Sequence, residues 1–116
     1  STLDELGNGP VILMLHHPPF ETGVKLMDSI GLCTGRDQFS KVIGAYSGEL
    51  IVVCGHIHMN MVTQLNGRSV ISAPSTCSTF EYNIQNDAPI NVLKQDGGFV
   101  LHVWSQGFKS IRIDAP

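Results

Sequence analysis

Positive charge is scarce in this sequence. Seven of its 116 residues are Lys or Arg, against ten Asp and Glu, and the formal net charge is -3. No basic stretch could follow a phosphate backbone, so a nucleic-acid polymer is not an expected partner. Long apolar runs are missing too. The longest, Val11 to Leu15, falls far short of the roughly 20 residues that cross a bilayer as a helix, and no membrane association is expected. Cysteine is limited to Cys33, Cys54 and Cys77, an odd count without paired spacing. That pattern favours reduced thiols. With no signal-peptide pattern at the start, the expectation is a cytoplasmic protein. Repeats and low-complexity segments are absent. Hydrophobic residues make up 42% and charged residues 15%, which fits a folded chain rather than a disordered one. The length allows a single domain, 1–116, burying roughly two-thirds of its unfolded surface.

Residues 1–7 read as the tail of a helix, stopped by Gly7 and Asn8. Pro10 opens PVILMLH, a continuous apolar run that suits a strand buried on both faces. HPPFETGVKLMDSIGLCTG predicts a long connection with little regular structure. In RDQFSKVIGAYSG, Phe39, Val42, Ile43 and Tyr46 recur at helical spacing and Gly48 supplies a stop. ELIVVCG is a second buried strand. Strand, helix and strand with short joins make a βαβ unit, so these two strands are expected to be parallel. Asn66-Gly67 between two strand-like runs marks a hairpin. PSTCSTFEYNIQNDAPIN reads as loop, and GFVLHVWSQGFKSIRID as a final hairpin turning near 105–107. The class is α/β, with a parallel βαβ start and antiparallel hairpins at the end.

Both apolar strands run straight into histidines. In VVCGHIH, an extended backbone would send His56 and His58 to one side and pack Ile57 behind, with Gly55 making a sharp turn. The segment sits at the carboxyl end of a parallel strand, where open α/β sheets hold ligands. In LMLHHPPF, His16 and His17 leave the neighbouring strand, stiffened by Pro18 and Pro19. Adjacent parallel strands end about 5 Å apart, so His16 and His56 could share one ion. Strand neighbours point to opposite faces, which favours His16 over His17 as the ligand and leaves His17 to support a ligand or touch substrate. The plain alternative is a pair of surface histidines. His102 reads as a packed strand histidine, Cys54 as a small core residue, Cys77 as a loop thiol, STCST as turn chemistry, and Asp28 as a loop staple.

LHHPPF, VVCGHIH and NGRSVISAPSTC, with MDSIGL between, resemble the carboxyl-terminal half of a calcineurin-like metallophosphoesterase, closest to the class III cyclic-nucleotide phosphodiesterases. The resemblance runs from about Pro10 to Ile113. It implies half of a four-layer α/β/β/α sandwich and a parent enzyme hydrolysing 3′,5′-cyclic nucleotides or related phosphodiesters at two divalent or trivalent ions, Fe, Mn or Zn. It implies His16 and His56 on one ion and His58 on the other. The family's Asp-x-His, GDxxD and GNHD/E motifs do not occur in this sequence. A two-metal site needs bridging carboxylates, and only Glu21 and Asp28 follow the histidine pair closely. The expected partners are therefore a missing amino-terminal half and the phosphodiester substrate. The chain alone is expected to be partly metallated or metal-free, inactive, and homo-oligomeric. Two other readings stand beside this one: a non-catalytic, metal-poor α/β module that self-associates, and a small mononuclear hydrolase built on His16, His56 and His58.

Overall fold

One helical turn, α1 (Thr2–Glu5), precedes β1 (Val11–Met14) in the computed structural model, which describes residues 2–85 and 89–116. A short helix α2 (Lys25–Ser29) interrupts the long connection expected to be irregular, and α3 (Arg36–Ala45) follows where the helical spacing placed it. The chain continues through β2 (Leu50–Cys54), β3 (Val62–Leu65) and β4 (Arg68–Ser72). β1 and β2 are parallel, from Val11 opposite Leu50 to Met14 opposite Val53, so the βαβ unit forms as expected. β4 adds parallel to β2 on its other side, and β3 pairs antiparallel with β4, giving the order β1-β2-β4-β3. The turn between β3 and β4 has positive φ at both Asn66 (48°) and Gly67 (80°), as a type I′ hairpin requires.

The segment read as loop after Pro74 contains a strand. β5 (Ser78–Phe80) pairs antiparallel with β6 (Val92–Lys94); residues 86–88 of that segment and Ser1 lie outside the described residues. The final hairpin forms as expected, with β7 (Gly98–Trp104) and β8 (Phe108–Asp114) paired along their whole length.

Period-two alternation in β2 divides the core. Leu50, Val52 and Cys54, with Val70, face α3 and pack on Ile43 and Tyr46. Ile51 and Val53, with Ile71, face the other way and meet Val100 and Phe108 of the final hairpin. Three layers result: helix, four-stranded sheet, hairpin. β2 is buried at every position, but β1 is not. Ile12 is 45% and Met14 79% exposed, so the expected burial of that strand on both faces fails. β1 is the sheet edge, and the hairpin does not extend over it.

Arg68 fastens the helix layer to the sheet. Its Nε donates to Ile43 O at 2.9 Å and Nη1 to Gly48 O at 3.0 Å, and Nη2 donates to Tyr46 O. These carbonyls belong to the last turn of α3 and the link beyond it, where helical partners have run out. Tyr46 donates its hydroxyl to Gly9 O at 2.6 Å, tying the same link to the entry of β1.

Candidate active site

Strand pairing delivers the two histidine segments to one place. Leu15 N donates to Val53 O at 3.1 Å and Gly55 N to His16 O at 3.0 Å, so the backbones stay joined past the ends of β1 and β2. Pro18 and Pro19, both fully buried, fix the path beyond. His16 Nε2 lies 3.2 Å from His56 Nδ1. His17 joins them rather than turning away: its ring centroid is 4.5 Å from that of His56 and 5.1 Å from that of His16. The expectation of opposite faces fails because β1 ends at Met14 and residues 16–17 form a bend.

His56 and His58 are not extended. Their φ angles are 72° and 55°, in the left-handed region that few non-glycine residues occupy. Ile57 N donates to Gly55 O at 2.9 Å, so His56 is the central residue of a positive-φ γ-turn, a rare and strained form. The sharp bend expected at Gly55 thus falls on His56 itself. Ile57 packs behind, 2% exposed, with Val24 and Met27. His58 is sent elsewhere: its ring stacks on Phe80 with centroids 4.8 Å apart, and Nδ1 lies 3.5 Å from Ser78 Oγ. The structure brings the rings of His16, His17 and His56 together, while the His58 ring stacks on Phe80 instead.

Two hydroxyls hold this loop: Ser72, which sequence reasoning passed over, and Thr79, which it read within STCST as turn chemistry. Thr79 Oγ1 donates to His58 O at 2.9 Å. Ser72, with no exposed surface, donates to Met59 O at 2.6 Å and accepts from Met61 N at 2.9 Å. Asn60 Nδ2 adds a bond to Ser72 O at 2.8 Å. A serine ending an apolar strand, as in SVIS, was the available signal for Ser72; the STCST cluster drew attention to the Thr79 hydroxyl, but its place in a strand was not legible because β5 itself was not recognised.

Burial lowers the His56 pKa first, and the neighbouring His17, His16 and His58 lower it further. Both effects favour the neutral ring, the form that can bind a metal ion. Its Nε2 is buried without a hydrogen-bond partner among the described residues. Two nitrogens bound tetrahedrally at about 2.0–2.1 Å would sit about 3.3–3.4 Å apart, close to the 3.2 Å between His16 and His56. The pair fits one edge of a coordination shell and no more. Among the described residues, no three His, Cys, Asp or Glu side chains form a group that could hold an ion.

The two carboxylates that follow the histidine pair in sequence have other partners. Asp28 staples its loop, accepting from Thr22 N at 2.6 Å, Thr22 Oγ1 at 2.8 Å and Gly23 N at 3.1 Å. Glu21 lies 3.6 Å from Arg36. Burial pushes the Cys54 thiol up to about 12, as suits a core residue. His102 packs on the inner face of the hairpin, its Nδ1 2.8 Å from Ser110 Oγ.

No protein-family model matches the chain. Among curated proteins it is similar to a probable glycerophosphodiester phosphodiesterase of Arcobacter nitrofigilis, 29% identical over 104 residues, covering 90% of this chain and 38% of that protein. It is similar to a 3′,5′-cyclic-nucleotide phosphodiesterase of Nostoc sp., 28% identical over 116 residues, covering 98% of this chain and 42% of the relative. A 3′,5′-cyclic adenosine monophosphate phosphodiesterase of Escherichia coli K12 is 31% identical over 75 residues, 65% of this chain and 27% of its own length. The chain spans less than half of each of these relatives and matches their carboxyl-terminal portion.

Proposed function

We propose that this chain, a homologue of cyclic-nucleotide and glycerophosphodiester phosphodiesterases and through them of the metallophosphoesterases, is the carboxyl-terminal part of a metal-dependent phosphodiester hydrolase. The observation that carries this reading is the approach of His16 Nε2 to His56 Nδ1 at 3.2 Å at the ends of two parallel strands. In the assembled protein His16 and His56 would hold one ion and His58 a second, and the remaining ligands, carboxylates among them, would come from an amino-terminal part. Fe, Mn or Zn, once bound, would supply Lewis acidity toward the phosphoryl group. The chain's own residues aim and protect that site. The γ-turn fixes the path of the chain at His56, its environment favours the neutral ring, and His17 packs beside it. The preferred substrates are 3′,5′-cyclic nucleotides or closely related phosphodiesters.

The layers support the half-domain reading. Helix, sheet and hairpin are three of the layers in an α/β/β/α sandwich. The outer face of the hairpin is apolar and bare, with Phe99, Leu101, Ile111 and Ile113 exposed. Helices of the amino-terminal part would form the fourth layer there.

A zinc titration followed through the histidine ring resonances tests the ligand assignment. One weak site is expected, lost in His16→Ala and in His56→Ala and retained in His17→Ala. Affinity should fall as pH drops through the histidine range, because ligation needs neutral imidazole. Loss of binding in His17→Ala with retention in His16→Ala would show the wrong ligand was chosen. The isolated chain should not hydrolyse cyclic AMP or bis(p-nitrophenyl) phosphate, even with added Mn or Zn. A metal-dependent rate that disappears in His56→Ala would overturn the half-domain reading.

A further inference from the structure

Three consecutive residues of β5 address one histidine. Ser78 Oγ lies 3.5 Å from His58 Nδ1, Thr79 Oγ1 donates to His58 O at 2.9 Å, and the Phe80 ring stacks on the imidazole with centroids 4.8 Å and planes 21° apart. The division follows from the strand itself. Alternate side chains share a face, so Ser78 and Phe80 both meet the ring while Thr79, between them, meets the backbone. Phe80 also packs against Val24, Met27 and Ile57, the apolar cluster behind the histidine loop. The stacked pair thereby ties the His58 ring to the core.

His58 lies beyond the end of β2, and its φ of 55° is in the left-handed region that side-chain-bearing residues rarely adopt. Among the described residues β5 pairs with β6 alone, so this ribbon is separate from the four-stranded sheet whose strand ends carry His16 and His56. The hydroxyl matters as much as the ring. A metal-bound histidine usually donates the N–H of the nitrogen that does not bind the ion, which fixes both its tautomer and its direction. A serine oxygen can accept that bond. Donation from Nδ1 to Ser78 leaves the lone pair on Nε2.

We infer that Ser78 and Phe80 are positioning residues for His58: Ser78 accepts from Nδ1–H and keeps Nε2 as the nitrogen with the lone pair, and Phe80 holds the plane of the ring. The inference rests on the hydrolase reading, in which His58 is a ligand, and names the atom it would present and the two side chains that aim it.

The test is nitrogen-15 NMR of the histidine rings in the whole chain at pH 8.5, above the ordinary histidine range. Wild-type His58 should carry its proton mainly on Nδ1. Ser78→Ala removes only a half-buried hydroxyl and should move the tautomer ratio toward the Nε2–H form, which a free imidazole favours, by about three- to tenfold, the weight of one hydrogen bond. Ser78→Thr, which keeps the hydroxyl, should hold the wild-type ratio. Phe80→Leu keeps apolar bulk against Ile57 but loses the stack, and should move the ratio the same way; Phe80→Tyr should not. Amide signals of α3 report that each variant is folded. A wild-type proton on Nε2, or a ratio unmoved in Ser78→Ala, would overturn the inference. So would equal changes in Ser78→Ala and Ser78→Thr, which would assign the effect to packing rather than to the hydroxyl, or a ratio unmoved in Phe80→Leu. Zinc binding at His16 and His56 should be the same in all four variants, so failure of the positioning role is distinguishable from failure of the hydrolase reading.

Discussion

At the scale of single residues, backbone conformation and charge are set by partners remote in sequence. GHIH made the ligand types legible, but not the directions in which they point. The left-handed φ of His56 and His58 is imposed by the γ-turn and by bonds from Thr79 and Ser72, which lie 21 and 13 positions from the groups they hold. Arg68 acts over a similar range. Its charge-assisted bonds to carbonyls are worth about 1.5–3 kcal/mol each in comparable settings, and water can replace part of that at a half-exposed site. Arg68→Ala should therefore cost about 2–3 kcal/mol in urea unfolding. Arg68→Lys should recover less than half, because one ammonium cannot span three carbonyls. His102 gives a pH dependence. Burial lowers its pKa in the folded state, so below about pH 6.5 the unfolded chain takes up a proton that the folded chain resists. Its effect is absent above that pH, grows as pH falls, and levels off below the folded pKa. The urea midpoint should drop between pH 7.5 and 5.5, and less steeply in His102→Gln. An unchanged slope would remove His102 from the account.

Elements were legible where a local signal decides them. The α3 spacing, the β2 run and the Asn66-Gly67 turn each carry their own instruction, and each forms where it was expected. β5 and β6 were missed because each has only three residues and their stability lies in pairing with each other. The parallel addition of β4 to β2 was not legible either, since a hairpin signal specifies its own two strands and says nothing of a third. The same locality gives a clean test. A Cβ at Gly67 would meet nothing within 4 Å, and φ there is 80°. Gly67→Ala should cost about 1–2 kcal/mol through left-handed backbone strain alone. Gly67→Asn should cost less, because asparagine tolerates that conformation. Equal losses for the two variants in urea unfolding would point to something other than backbone strain.

At the scale of the whole molecule, α3 covers one face of the sheet, and the final hairpin on the other face exposes apolar side chains. Two surfaces carry neighbouring exposed apolar residues. Ile12 and Met14 lie along the β1 edge, and Phe99, Leu101, Ile111 and Ile113 lie on the outer face of the final hairpin. β1 also presents the unpaired backbone groups of a sheet edge, and a bare apolar face invites association. On the hairpin, Phe99 faces Ile113 and Leu101 faces Ile111 across the ladder, so the patch is contiguous. A contiguous patch can meet its own copy across a two-fold axis, the commonest closed arrangement. The isolated chain is therefore expected to sediment as a dimer or larger at micromolar concentration, with the hairpin face buried. Leu101→Lys with Ile111→Glu should shift it toward monomer. Val42→Lys, on the exposed side of α3, should leave assembly unchanged. On the half-domain reading, an amino-terminal part supplied in trans should compete with self-association, because both partners would need the same apolar surface. A stable monomer that ignores both the hairpin substitutions and the added part would mean that these side chains tolerate water unaided, and the reading of the chain as a self-sufficient small protein would then displace the half-domain.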